Sequence, residues 1–199
     1  MIADYAYADN CLTFKECRLI RQYCKNRIET SLVEGGVTDE HRKSKNCFIP
    51  KHTCPPHIKK IIAKVLAYYF NICSEVFKFA MEEVEPIQYA EYKVGNYYNP
   101  HMDSGLEIDR DMSASIILSP RNKYEGGNLD FMNLHTRLPE EKLGRIIVFP
   151  SMLMHSVQPV TKGNRSSLVL WGRRAMKEPP TYVQKAEEYE ATGQSKKKD

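Results

Sequence analysis

Three side chains in this sequence could together hold a redox metal: His101 and Asp103, one residue apart, and His155 much further along the chain. Two imidazoles and one carboxylate form the ligand set that binds non-haem Fe(II) on one face and leaves the opposite positions open for substrate and oxygen. A fourth residue, Arg165, opens the run Arg165-Ser166-Ser167-Leu168-Val169-Leu170-Trp171. Strand periodicity there places Arg165, Ser167, Val169 and Trp171 on one face. A buried arginine needs an anion, and its planar fork suits a carboxylate at two points. Singly, a His-x-Asp pair is a common coincidence and an arginine is usually a surface ion pair; the combination points to oxidation chemistry with an anionic cosubstrate. His41, His52, His57 and His135 have no partner at ligand spacing and read as surface or loop residues.

Positioning these groups requires strands. In an extended segment alternate side chains share a face, so a strand over His101–Asp103 would aim both ligands one way. His155 must then come from a strand brought alongside when the sheet folds over. After Pro86 the sequence breaks into short runs rich in branched and aromatic residues, divided by Asn, Gly and Pro. These predict strands at Ile87–Val94, His101–Asp103, Met112–Leu118, Asn128–Met132, Arg145–Phe149, His155–Val160 and Ser166–Gly172. No helices alternate with them, which favours a jelly roll over a parallel sheet.

Helical signals precede the strands. Thr13 and Glu16 have capping-box spacing, and Phe14, Cys17, Ile20, Cys24 and Ile28 recur at helical intervals, predicting a helix over 13–28. Pro55-Pro56 opens a second stripe, from Ile58 through Tyr69 and Cys73 to Ala80, with a break expected near Asn71. Asp39 to Asn46 is polar and reads as a surface loop. The expected organisation is one domain over 1–176, with helical support over 1–85 and a jelly-roll core over 86–176. The Pro-, Glu- and Lys-rich tail, 177–199, is expected to be partly disordered.

Composition narrows the class. A chain of 199 residues carrying a net charge of +4, part of it from Lys196-Lys197-Lys198, shows no basic face for nucleic acid. No basic segment leads into an apolar one near the start, and no apolar run reaches membrane-spanning length. The expectation is a soluble cytoplasmic protein. Its six cysteines form no Cys-x-x-Cys pair and are expected to be reduced, as suits an Fe(II) site.

The segment Tyr92-Lys93-Val94-Gly95-Asn96-Tyr97-Tyr98-Asn99-Pro100-His101-Met102-Asp103 resembles the Tyr, Tyr, His and Asp motif of the Fe(II)/2-oxoglutarate dioxygenases of the prolyl 4-hydroxylase family. His155-Ser156-Val157-Gln158-Pro159-Val160-Thr161-Lys162-Gly163-Asn164-Arg165 is similar to that family's second metal His, Pro-Val, turn Gly and cosubstrate cation. Glu125-Gly126-Gly127-Asn128-Leu129-Asp130-Phe131 looks like its Gly-Gly turn. The resemblance runs from about Ile87 to Arg174. It implies an α+β chain with a double-stranded β-helix, cupin-like core, in which His101, Asp103 and His155 hold Fe(II). It further implies 2-oxoglutarate with its distal carboxylate on Arg165 and Tyr92, a hydrogen bond from Ser167, O2, and ascorbate as reductant.

The implied reaction hydroxylates a C–H bond of a prolyl residue in a peptide or protein and releases succinate and CO2. Tyr98 and Trp171 are candidate substrate contacts, with core packing the competing reading of each. The loops 39–46 and 104–111 would close over a peptide, and Arg42-Lys43-Ser44 resembles an Arg-x-Ser segment of the family's mobile loop. Collagen-type members often carry Lys at the position of Arg165, so substrate class stays open. Base-repair relatives carry a second Arg where this chain has Trp171. A small-molecule or free amino-acid oxygenase, and a non-catalytic jelly-roll binding protein, stand as alternatives.

Overall fold

Thr13 and Glu16 close the reciprocal cap that their spacing predicts: Glu16 N–H donates to Thr13 Oγ1 (3.3 Å) and Thr13 N–H donates to Glu16 Oε2 (2.7 Å). The helix they start, α1 (Phe14–Cys24), is shorter than its apolar spacing suggests, and it buries Cys17, Ile20 and Cys24 while Phe14 lies exposed. Pro56 begins α2 (Pro56–Glu75), which runs through Asn71 without the expected break and buries Ile58, Ile61, Ile62, Val65, Tyr69, Ile72 and Cys73. The stripe of α2 ends before Ala80, because the chain turns out of the helix after Val76 and Lys78 adopts a positive φ.

The computed structural model describes residues 3–30, 41–50, 53–105, 108–132, 134, 138 and 140–174. The tail at 177–199, His52, His135 and the first two residues of the 39–46 segment lie outside them. Among the described residues the strands are β1 (Ala6–Ala8), β2 (Glu29–Thr30), β3 (Arg42–Lys43), β4 (Lys45–Ile49), β5 (Glu83–Val84), β6 (Ile87–Lys93) and β7 (Tyr97–His101). They continue with β8 (Met112–Ile117), β9 (Tyr124–Gly126), β10 (Leu129–Phe131), β11 (Ile146–Pro150), β12 (His155–Val157) and β13 (Val160–Arg173).

Every pairing is antiparallel. The larger sheet runs β1-β11-β8-β13-β6-β4-β2, with β9 and β5 pairing the two ends of β13, and the smaller runs β10-β12-β7-β3. This is the double-stranded β-helix of a jelly roll, with helices laid against the outer face of the larger sheet. One apolar cluster joins α1 and α2 to Ile49, Ile87, Tyr89, Ala114, Ile116, Ile146, Val148, Leu168 and Leu170. Tyr69 pins α2 to β8 by donating its hydroxyl to the Met112 carbonyl at 2.6 Å.

Three further expectations change. β7 ends at His101, so Asp103 lies beyond the strand in a bend and does not share a strand face with His101. The segment expected as a polar loop supplies β3 and the start of β4, and it pairs with both sheets. Its residues alternate between buried and exposed, with Arg42 and Ser44 inward. Their polarity disguised the strand, because its inner face looks into a polar cavity. The final strand is also longer than expected, since residues 160–163 pair with β9 before 164–169 pair with β6.

All six cysteines are buried and unpaired. No helix among the described residues is long and apolar enough to cross a membrane.

Candidate active site

His101 ends β7, His155 begins β12, and the two face each other across that ladder. Asp103 curls back beside them: one ligand atom from each of the three residues falls within 4.8 Å of the others. His101 Nε2 is 3.7 Å from Asp103 Oδ1, and His155 Nε2 is 3.5 Å from Asp103 Oδ2. Each imidazole is fixed in the same way. His101 Nδ1 lies 2.8 Å from the Asn99 carbonyl and His155 Nδ1 lies 2.8 Å from the Leu153 carbonyl. A carbonyl only accepts, so Nδ1 carries the proton in both rings and the Nε2 lone pair is turned toward the shared centre. Burial, with His155 close by, pushes the His101 pKa down to about 4, which keeps that ring neutral and ready to ligate. Neutral nitrogens around a carboxylate fit a divalent metal ion.

Arg165, 1% exposed, sits in the same cavity, on the larger sheet. The alternation expected along its strand is present: Arg165, Ser167, Val169 and Trp171 all line a cavity of about 740 Å³. The Arg165 charge is not waiting bare for a cosubstrate. Glu141 takes its Nε at 3.2 Å and its Nη2 at 2.8 Å, and the same carboxylate accepts from Tyr124 Oη (2.6 Å) and Leu129 N–H (3.1 Å). Burial would raise the Glu141 carboxyl, yet the charge and hydrogen bonds of Arg165 hold it below its usual range. Burial would lower the Arg165 pKa, and Glu141 raises it instead.

Glu141 uses the Nε/Nη2 edge of the guanidinium, leaving the Nη1/Nη2 edge as a second fork. On that side Nη1 reaches Ser167 Oγ at 3.3 Å. Tyr92 is the cross-strand partner of Arg165, with its ring centroid 5.7 Å from the guanidinium carbon, and it lines the cavity too. Gly127 makes room for this arginine. At its φ of +64° a Cβ would stand 3.0 Å from Arg165 Cδ and 2.8 Å from Val160 Cγ2.

Tyr98 and Trp171 both line the cavity, in different ways. Tyr98 is stacked flat on His101, with centroids 3.5 Å apart, and the Arg42 guanidinium lies 4.7 Å from its ring centroid. Arg42 is itself held by Ser44 Oγ (2.7 Å) and Gln88 Oε1 (2.9 Å). Trp171 carries Arg110 4.0 Å over its ring, while its buried indole N–H has no partner among the described residues. Arg110 forms a two-point pair with Glu85, 2.7 Å at each contact. His41, expected at the surface, is exposed and lines the cavity edge.

Sequence reasoning did not find Glu141, Arg110 or the serines behind Asp103. It noted Arg42 only through the resemblance of Arg42-Lys43-Ser44 to a loop segment, without placing it in a strand.

The jelly roll gathers His, Asp and His at one end of its smaller sheet, the ligand set that suits non-haem Fe(II), and places an inward arginine on the larger. Residues 87–173 match the family described as the 2OG-Fe(II) oxygenase superfamily. It is 34% identical over 101 residues to a PKHD-type hydroxylase of Idiomarina loihiensis, a match covering 49% of this chain and 46% of that protein. The chain thus spans about half the length of this curated relative. Among solved structures it is similar to a Pseudomonas putida prolyl-4-hydroxylase, with TM-score 0.72 and 22% identity over 86% of this chain and 93% of that one. It is also similar to a Trichoplax adhaerens prolyl hydroxylase in complex with a hypoxia inducible factor peptide fragment, with TM-score 0.70 and 17% identity over 85% and 83% of the two chains.

Proposed function

We propose that this protein is an Fe(II)- and 2-oxoglutarate-dependent dioxygenase that hydroxylates a C–H bond of a prolyl residue in a peptide or protein. The observation that carries this reading is one cavity holding both the His101, Asp103 and His155 cluster and the inward edge of Arg165. His101, Asp103 and His155 would hold Fe(II). Bound together, Fe(II), 2-oxoglutarate and O2 supply the oxidising chemistry, with succinate and CO2 released and ascorbate as a reductant.

The protein's own part is to bind, orient and exclude water. Arg165 receives the distal carboxylate of 2-oxoglutarate on its free fork, with Ser167 and Tyr92 beside it. Phe149, Leu129 and Val157 give the cavity dry walls near His155. Trp171 offers a flat face for a substrate ring, and Tyr98 holds His101 from the opposite side. A peptide substrate is supported by the Trichoplax neighbour, which carries a peptide, and by the cavity's opening beside His41, Met102 and Ile108. A free amino acid or small molecule is the second reading, favoured by a cavity volume within the usual range for such ligands. Six buried thiols support work in a reducing, cytoplasmic compartment.

The test is succinate release and substrate oxygenation with Fe(II), ascorbate and 2-oxoglutarate, using a proline-containing peptide library and, in parallel, free amino acids. A peptide product heavier by one oxygen atom is expected. Asp103→Ala and His155→Ala should abolish turnover, and Arg165→Ala should mainly weaken 2-oxoglutarate binding. Failure of the intact protein to bind 2-oxoglutarate in the presence of metal would overturn the enzyme reading, and oxygenation confined to free amino acids would overturn the peptide one.

A further inference from the structure

Asp103 is the one member of the triad that no strand ladder positions, since β7 has already ended at His101. Its placement is instead built from contacts with the larger sheet. The Asp103 and Ser104 N–H groups donate to the Ser151 carbonyl at 2.9 and 3.2 Å, and Ser151 N–H donates to the Asp111 carbonyl at 2.9 Å. Ser113 Oγ donates to Asp103 Oδ2 at 2.7 Å, and Ser113 and Ser151 hydroxyls lie 2.8 Å apart. Both serines are 0% exposed.

The direction of this relay follows from the donors. An ionised carboxylate only accepts, so the single Ser113 proton is committed to Asp103. Ser151 must therefore donate to Ser113, and the chain reads Ser151 to Ser113 to Asp103 Oδ2. Each hydroxyl donates along it, and the bond to the charged acceptor is of the stronger class. His101 Nε2 lies 3.7 Å from Asp103 Oδ1 and His155 Nε2 lies 3.5 Å from Oδ2, so both oxygens face the imidazoles, but only Oδ2 receives a hydrogen bond among the described residues. Ser113 sits on β8 opposite Phe149 of β11 and Trp171 of β13, on the strand that Tyr69 pins from behind. The donor is thus mounted on a rigid element. For packing alone, a buried alanine would avoid the cost of burying a hydroxyl.

We propose that Ser113, oriented by Ser151, is the positioning residue that sets how Asp103 meets the metal. By engaging Oδ2 it would leave Oδ1 the freer oxygen to ligate and would keep the carboxylate from closing on an ion with both. The inference concerns the metal centre and holds whichever substrate the enzyme takes.

The experiment titrates metal-stripped wild-type, Ser113→Ala, Ser151→Ala and Ser113→Thr proteins with Mn(II) by calorimetry, and records the visible spectrum of each with Co(II). Ser113→Ala should weaken Mn(II) binding by roughly 10–100-fold, the range typical of a lost partner to a metal ligand. Ser151→Ala should fall between it and wild type, because the Ser113 donor survives without its own donor. Ser113→Thr keeps the hydroxyl and should restore affinity. The Co(II) bands should shift in Ser113→Ala, as a second carboxylate oxygen takes the place of a solvent ligand. Wild-type Mn(II) affinity in both alanine variants would overturn the positioning role, even if they melt earlier. Altered affinity with an unchanged Co(II) spectrum would overturn the one-oxygen assignment.

Discussion

Glu141 shows how much a single unheralded residue can decide. Arg165 is fully enclosed, and the carboxylate that makes its charge tolerable comes from the chain itself. Removing one partner of a buried pair leaves the other uncompensated, so Glu141→Ala should cost about 3–5 kcal/mol, read as a lower midpoint in chemical denaturation. The pair also carries a pH signature. The Glu141 pKa is lowered in the folded state, so its contribution is full above the unfolded carboxyl value and is lost as pH falls through the folded one. The stability gap between wild type and Glu141→Gln should therefore shrink on acidification below about pH 4.3, the ordinary glutamate value. A gap that stays constant through the acid limb would contradict the assignment. His101, Asp103, His155 and Arg165 could be named in the sequence because their residue types carry a chemistry that spacing alone can flag. Glu141 and Ser113 acquire meaning only from partners elsewhere along the chain, Arg165 and Asp103, and no local pattern encodes those meetings.

At the scale of elements, β13 was readable because its alternation is a property of the strand itself, and Arg165, Ser167, Val169 and Trp171 do share the cavity wall. The 42–49 segment was not readable, since a strand with Arg and Ser on its inner face mimics a loop in composition. Nor was the position of Asp103, which depends on where β7 stops. The turn before β10 offers a sharper test. Gly127 and Gly95 both have positive φ, and replacing either by alanine should cost about 1–3 kcal/mol of backbone strain. Only at Gly127 would the added methyl press on Arg165; at Gly95 nothing lies within 4 Å. Gly127→Ala should therefore weaken 2-oxoglutarate binding, measured calorimetrically with Mn(II) present, while Gly95→Ala should leave that affinity at the wild-type level. Equal losses would show that the effect is general loosening and not the displacement of Arg165.

Across the whole molecule, the site is a junction between two sheets that otherwise meet through modest apolar clusters, such as Ala90, Tyr92, Val157 and Val160. His101 and His155 belong to the smaller sheet, Arg165 to the larger, and Asp103 is tied to the larger one through Ser113 and Ser151. A metal ion held by the triad, and a 2-oxoglutarate spanning from that ion to Arg165, would thus join the sheets directly. Because these ligands bind the folded chain, each should stabilise it by about 2.7 kcal/mol at a hundredfold excess over its dissociation constant. For a chain of this size that corresponds to a rise in Tm of roughly 5–11 °C, at about 2–4 °C per kcal/mol. The two contributions should not be independent. With Mn(II) present, 2-oxoglutarate would have both ends anchored; with a chelator present it would retain only the Nη1/Nη2 edge of Arg165. Thermal melts should therefore show a large 2-oxoglutarate shift with Mn(II) and a small one with chelator. Equal shifts in the two conditions would mean that 2-oxoglutarate binds without the metal, and the arrangement of Arg165 opposite the triad would then have no bearing on how the cosubstrate is held.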